Sequence, residues 1–172
     1  TRFARELARS LSVNHDVVMT NRHRVPTEKG FALSELSHDE TTNDLVRGVD
    51  VIVHSGEVDL QLTVSDQLDI AMRCTYNLLS AAVEESVPRV IYISSLRLLD
   101  RYDEDMVVTE TWRPIPSTDA HVLCYHLGEY VCREFAREQK LDVVSLRLGE
   151  LVWDTDQRGA AATSALYPHD AI

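Results

Sequence analysis

The sequence predicts an α/β protein built on a doubly wound parallel sheet. Short runs of apolar, β-branched residues alternate with amphipathic helical segments along the whole chain, the pattern that places parallel strands between crossover helices. The stretch from Asn77 to Leu98 is the plainest instance: an apolar helix, a break at Val87-Pro88, then the strand Val90-Ile91-Tyr92-Ile93 ending in Ser94-Ser95. Open α/β sheets bind ligands beyond the carboxyl ends of their strands, so this strand also marks the functional edge.

Each element has its own signal. Phe3, Leu7 and Leu11 share a helical face, which predicts a helix over 2–11. Asp16 to Thr20 reads as a short buried strand, followed by the basic turn Asn21-Arg22-His23-Arg24, and Phe31-Ala32-Leu33 as another strand. Thr42 to Arg47 forms a short helix closed by Gly48, a residue suited to a helix end. Val49 to His54 is the next strand. A long helix over 66–86 carries Leu68, Met72, Tyr76, Leu79 and Val83 on its apolar side. Residues 97–120 have no lasting periodicity, and a loop of that length in a compact domain is usually functional. A helix over 121–139 and a strand over 142–147 complete the pattern, and helices are expected on both sheet faces.

Composition narrows the function. With 172 residues, 44% of them hydrophobic, the chain can bury one real core. A net charge of −11 excludes a general nucleic-acid surface, which needs a basic face to neutralise phosphates. No apolar run approaches the roughly 20 residues that span a bilayer, and TRFARELARSL is too charged for a secretory signal core. The expectation is a cytoplasmic protein with no membrane partner. Cys74, Cys124 and Cys132 lack C-x-x-C spacing, so neither a disulfide framework nor a metal site is expected. Cys124 and Cys132 lie on similar faces of one helix and read as small core residues.

Three further segments carry a resemblance. Asp44 to His54 (DLVRGVDVIVH), Thr75-Tyr76-Asn77-Leu78-Leu79 and Arg147-Leu148-Gly149, together with the Ser94-Ser95 strand, resemble the extended branch of the short-chain dehydrogenase/reductase family. That branch holds the NAD(P)-dependent sugar epimerases, dehydratases and uronate-type dehydrogenases. The resemblance runs from about Phe3 to Asp170. It implies that residues 1–172 form one partial Rossmann-like NAD(P)-binding domain, with the first strand expected upstream of Thr1 and a C-terminal portion beyond Ile172. It also implies a sugar or uronate substrate and a homodimer paired through the helices at 66–86 and 121–139. Tyr130, Val131 and Phe135 exceed what one helix face needs to cover a sheet, which suits that pairing. The departures are specific. The six glycines cannot form a glycine-rich phosphate loop, Ala71 stands where the family has an asparagine, and Trp153-Asp154 follow Gly149 where Tyr-Gly-Pro is common.

The resemblance assigns cofactor positions. His54 with the small pair Ser55-Gly56 would face the dinucleotide, since small residues permit close approach. Asn21 occupies the place of an acid that binds ribose hydroxyls and is followed by Arg22 and Arg24. Arginines without an acid suit a 2′-phosphate, so the choice between NAD and NADP leans to NADP, unless these are solvated turn residues. The dinucleotide would lie near Asn21, Arg22, Ser55, Gly56, Ser94 and Tyr125.

The family's chemistry uses a tyrosine, a lysine four residues later, and a Ser or Thr after the central strand. The lysines are Lys29 and Lys140, preceded at that spacing by Val25 and Ala136, so Tyr-x-x-x-Lys is absent. Counting back from Arg147-Leu148-Gly149 puts the tyrosine position at His121 and the lysine position at Tyr125, with Glu129 on an acidic position of the same helix. A rival register makes Tyr125 the acid/base group with Glu129 at the lysine position, where a carboxylate would raise the tyrosine pKa. The first register fits the helix-to-strand spacing. The candidate catalytic set is therefore His121, Tyr125 and Ser95, Leu96 occupying the usual hydroxyl position. Two readings stay open: a binding or regulatory module that has left the standard chemistry, and an active NAD(P)-dependent oxidoreductase or nucleotide-sugar epimerase/dehydratase using these three residues. His121 and Tyr125 also read as ordinary residues at a helix start, and Ser94-Ser95 as a strand cap.

Overall fold

The structure is a computed structural model that describes residues 2–22, 30–103, 105–153 and 165–171. The elements run α1 (Arg2–Leu11), β1 (Met19–Asn21), β2 (Phe31–Leu33), α2 (Glu40–Val46), β3 (Val51–Ser55), α3 (Val64–Asp69), a π-helical segment Ile70–Cys74, α4 (Thr75–Glu84), β4 (Arg89–Ser95), a 3₁₀ turn Leu96–Leu99, α5 (Ala120–Arg137), β5 (Asp142–Leu148), β6 (Glu150–Leu151), β7 (Ala165–Leu166) and α6 (Pro168–Ala171). Each strand pairing is parallel. The central sheet has the order β3-β4-β5, while β1-β2 and β6-β7 form separate pairs. The predicted doubly wound α/β class is the observed one. Asp16, Val17 and Val18 lie outside β1, and the expected buried strand is not buried: Val18 and Thr20 are exposed.

Local chemistry sets the helix starts. Asp39 accepts from Thr41 N at α2, Thr63 accepts from Asp66 N at α3, and Asp119 accepts from Val122 N at α5, each satisfying an orphan N–H of a first turn. Gly48 follows α2 with φ +73°, a conformation that favours glycine.

One face of the central sheet carries the core. Val90 and Tyr92, both fully buried, pack with Leu78, Leu79, Ala82, Val131 and Cys132 from α4 and α5. Cys124 is also buried, in a neighbouring cluster with Val58 and Ala71. The other face differs from the expectation of cover on both sides. Val51, Val53, Val144 and Leu146, which alternate with core-facing residues, keep 39–45% of their surface exposed.

The long helix also differs from its sequence pattern. Met72 and Tyr76 are 43% and 52% exposed, whereas Ala71, Cys74, Thr75, Leu78 and Leu79 are buried. The π-helical turn at 70–74 shifts the helical phase, so a stripe drawn at uniform spacing leaves the core there. On α5, Val131 is buried and Phe135 packs against the core, leaving Tyr130 as the exposed member of the expected trio.

The 97–120 loop is tied down at several points. Ile115 N donates to Leu98 O at 2.9 Å, Tyr102 Oη donates to Arg113 O at 3.0 Å, and the Tyr102 and Trp112 rings meet edge-on at 4.5 Å.

Candidate functional site

A cavity of about 520 Å³ lies beyond the carboxyl ends of β3, β4 and β5. Its lining includes Ser55, Ser94, Ser95, Arg97, His121 and Tyr125. Three elements position them. β3 ends at Ser55 beside Ile93, β4 runs two residues further to end at Ser95 beside Leu148, and α5 starts at its Asp119 cap. Residues 121, 125 and 129 fall four apart on α5 and share one face. The His121 and Tyr125 rings meet at a tilt of 54° with centroids 5.1 Å apart.

The register of α5 is fixed by an ion pair. Arg147 on β5 donates from Nε and Nη2 to the two Glu129 carboxylate oxygens, each at 2.8 Å, and from Nη1 to Trp112 O at 3.2 Å. Glu129 is thereby committed to β5, and its neighbours one and two turns earlier are aimed at the strand ends.

The electrostatics of the trio are unlike those of a tyrosine–lysine pair. Tyr125 is pushed up to about 12, first by burial and then by Glu57, with Arg97 opposing. His121 is lowered, first by burial and then by the Arg97 guanidinium, with Asp119 and Glu57 opposing. Arg97 Nη1 lies 3.2 Å from His121 Nδ1. A guanidinium only donates, so Nδ1 accepts and the neutral ring carries its proton on Nε2. Ser95 Oγ accepts from Arg97 N at 3.2 Å, capping the 3₁₀ turn. Ser94 Oγ is buried and has no partner among the described residues.

The remaining sequence candidates fall elsewhere. Gly56 is buried behind the cavity, where a Cβ would come within 2.6 Å of Tyr92 Cζ and 2.9 Å of Tyr125 Cδ1. Its bareness serves the two tyrosines. His54 packs on Tyr92, bonds Thr75 Oγ1 through Nε2 at 2.9 Å, and is lowered to about 4 by burial. Asn21 and Arg22 sit at the end of β1, and Arg22 Nε donates to Glu35 at 2.8 Å. Arg24 and Asp154 lie outside the described residues.

Arg97 and Glu57 are the site residues the sequence reading missed. A charged residue two positions after each strand-end serine, at Ser55-x-Glu57 and Ser95-x-Arg97, is the signal that points to them.

The fold is that of an α/β protein with parallel strands and a cavity at their carboxyl ends. The NAD dependent epimerase/dehydratase family model matches residues 3–166, and the chain belongs to that family. Glucuronic acid dehydrogenase from Chromohalobacter salexigens superposes with a TM-score of 0.80 at 19% identity, covering 98% of this chain and 64% of that one. UDP-N-acetylglucosamine 4-epimerase from Bacillus cereus gives 0.75 at 18% identity, covering 90% and 54%. UDP-glucuronic acid 4-epimerase from Bacillus cereus, in complex with UDP-glucuronic acid and NAD, gives 0.69 at 18% identity, covering 86% and 53%. The chain thus spans about half to two thirds of the length of these proteins. No curated protein matches the sequence. Among the described residues no helix is long and apolar enough to cross a membrane, and no group of three His, Cys, Asp or Glu side chains is placed to hold a metal ion.

Proposed function

We propose that residues 1–172 form a single, partial NAD-binding domain that recognises a sugar or uronate and serves as a binding or regulatory module without the family's tyrosine–lysine proton transfer. The observation that carries this reading is the state of the trio. Tyr125 is pushed up to about 12, away from the range of a proton donor at neutral pH. His121 presents Nε2–H while Arg97 occupies its other nitrogen.

The dinucleotide suits the residues present. Ser55, Ser94 and Ser95 give the strand ends small hydroxyl side chains, and the unpartnered Ser94 Oγ provides a buried polar group for a ribose or amide. When bound, the nicotinamide supplies the hydride chemistry. The chain's own residues orient it and shelter it from water. NAD is favoured over NADP because Arg22 is paired with Glu35 and does not present a free cation to a 2′-phosphate. Cytoplasmic location and a homodimer complete the proposal. Met72 and Tyr76 near α4 and Tyr130 on α5 are exposed large apolar groups on the two helices expected to pair.

The alternative, an active oxidoreductase or nucleotide-sugar epimerase/dehydratase, is favoured by one fact: His121, Tyr125 and Ser95 do converge on one cavity. Titration of the full chain with NAD, followed by assay of nicotinamide reduction with a panel of sugars and uronates, separates the two. Binding without turnover is expected; rapid turnover overturns the regulatory reading.

A further inference from the structure

We propose that Arg97 is a carboxylate anchor that makes the cavity selective for sugar acids over neutral sugars. The inference rests on reading the cavity as a sugar site and assigns its substrate class.

Arg97 is held on a rigid turn. Ser95 Oγ caps its backbone N–H, Leu98 and Leu99 are 0% and 8% exposed, and Leu98 O is bonded by Ile115 N. The turn therefore fixes where the guanidinium enters the cavity. Its donors are largely free. Among the described residues the guanidinium makes one hydrogen bond, to His121 Nδ1. The nearest carboxylates, Asp100 and Asp119, each stand 3.9 Å away, too far for a hydrogen bond. Asp119 is committed to capping α5. A planar fork of N–H donors at a cavity wall matches a carboxylate in shape and charge.

The surrounding charges select a monoanion. Glu57 and Glu150 line the same cavity, and Asp100 and Asp119 flank the arginine. Arg2, the other cation in the lining, stacks over the Trp153 ring at 4.3 Å. A dianionic phosphate would bring two charges against four carboxylates, whereas a carboxylate brings one, which Arg97 balances. Because Arg97 touches His121 directly, the anion sits beside the imidazole and Ser95. That places the carboxylate on the sugar ring itself, not on a distant nucleotide.

The test compares binding of D-glucuronate, D-glucose and glucose 6-phosphate to the full chain by calorimetry, with and without NAD. Glucuronate should bind about tenfold or more tighter than glucose, the scale of a charge-assisted hydrogen bond. Arg97→Met should bring glucuronate down to the level of glucose, a far larger loss than glucose itself shows, and Arg97→Lys should restore part of the difference. Equal binding of glucose and glucuronate, binding of neither, an equal loss of both in Arg97→Met, or tighter binding of glucose 6-phosphate overturns the anchor. NAD titration decides the underlying reading separately. Carboxylate selectivity without NAD binding keeps the anchor and removes the dinucleotide role, while NAD binding without selectivity does the reverse.

Discussion

Arg147 grips both carboxylate oxygens of Glu129 across eighteen residues of sequence, so the last strand of the central sheet dictates which face of α5 looks into the cavity. The pair is largely enclosed, with side-chain exposures of 19% and 10%. This contact favours the His121/Tyr125 register over the one that would make Glu129 a partner of the chemistry.

Removing one member should unsettle both the fold and the site. Glu129→Ala leaves a part-buried guanidinium with Trp112 O as its remaining described partner. Breaking such a pair costs about 3 kcal/mol, read as a lower urea midpoint at unchanged slope. A double variant replacing Arg147 and Glu129 with apolar residues of similar size should recover much of the loss.

Tyr92 offers a stabilising change. Its ring is fully buried against Gly56 and Gly128, and its hydroxyl has no partner among the described residues. Tyr92→Phe removes an unsatisfied polar group and should raise stability by about 1 kcal/mol, seen as a higher melting temperature. Gly128→Ala should do the opposite despite the better helix propensity of alanine. Its Cβ would overlap the Tyr92 phenol, and overpacking costs about 1–3 kcal/mol. A stable Gly128→Ala variant would show that the ring can move aside.

His54 should give the fold a pH dependence on the acid side of neutrality. Burial lowers its folded pKa from 6.5 to about 4, so between those values the unfolded chain binds the extra proton. Stability is therefore complete above about pH 6.5 and falls as the pH drops toward 4, by on the order of 3 kcal/mol. His121 and His126 are lowered in the same direction, first by burial, so the contribution is isolated by comparison with His54→Asn. Melts at pH 5 and pH 7 should differ less in the variant; equal differences would show that His54 is not the responsible group.

Much of the fold was legible because it is written in local patterns. β-Branched runs marked β3, β4 and β5, and Gly48 marked the end of α2 because its φ of +73° favours glycine. Non-local effects were not legible. The π turn at 70–74 moved Met72 and Tyr76 off the core. Gly56 read as an approach point for a cofactor, yet Tyr92, which occupies that space, is remote in sequence. The site was half legible. Strand-end serines and the α5 spacing brought Ser95, His121 and Tyr125 to one cavity. Arg97 carries a local signal in Ser95-x-Arg97, but its contact with His121, twenty-four positions away, has none.

The chemistry of that cavity hinges on the Arg97–His121 contact. With Nδ1 accepting from Arg97, His121 can take a proton at Nε2 only after its tautomer switches, which breaks the contact. Little hydride turnover is expected, since a tuned proton donor is worth roughly 10²–10⁴-fold in rate. Any residual activity should depend on the ionisation of His121, which lies below 6.5 because burial and Arg97 both lower it. Arg97→Ala removes one of these causes, so the acid limb of the pH–rate profile should move toward higher pH. Tyr125→Phe should leave that limb in place, because a phenol pushed up to about 12 stays protonated throughout the range. The decisive pair is His121→Ala against Tyr125→Phe. Activity that survives the first and is lost with the second would make Tyr125 the proton-transfer group and return the helix to its rival register.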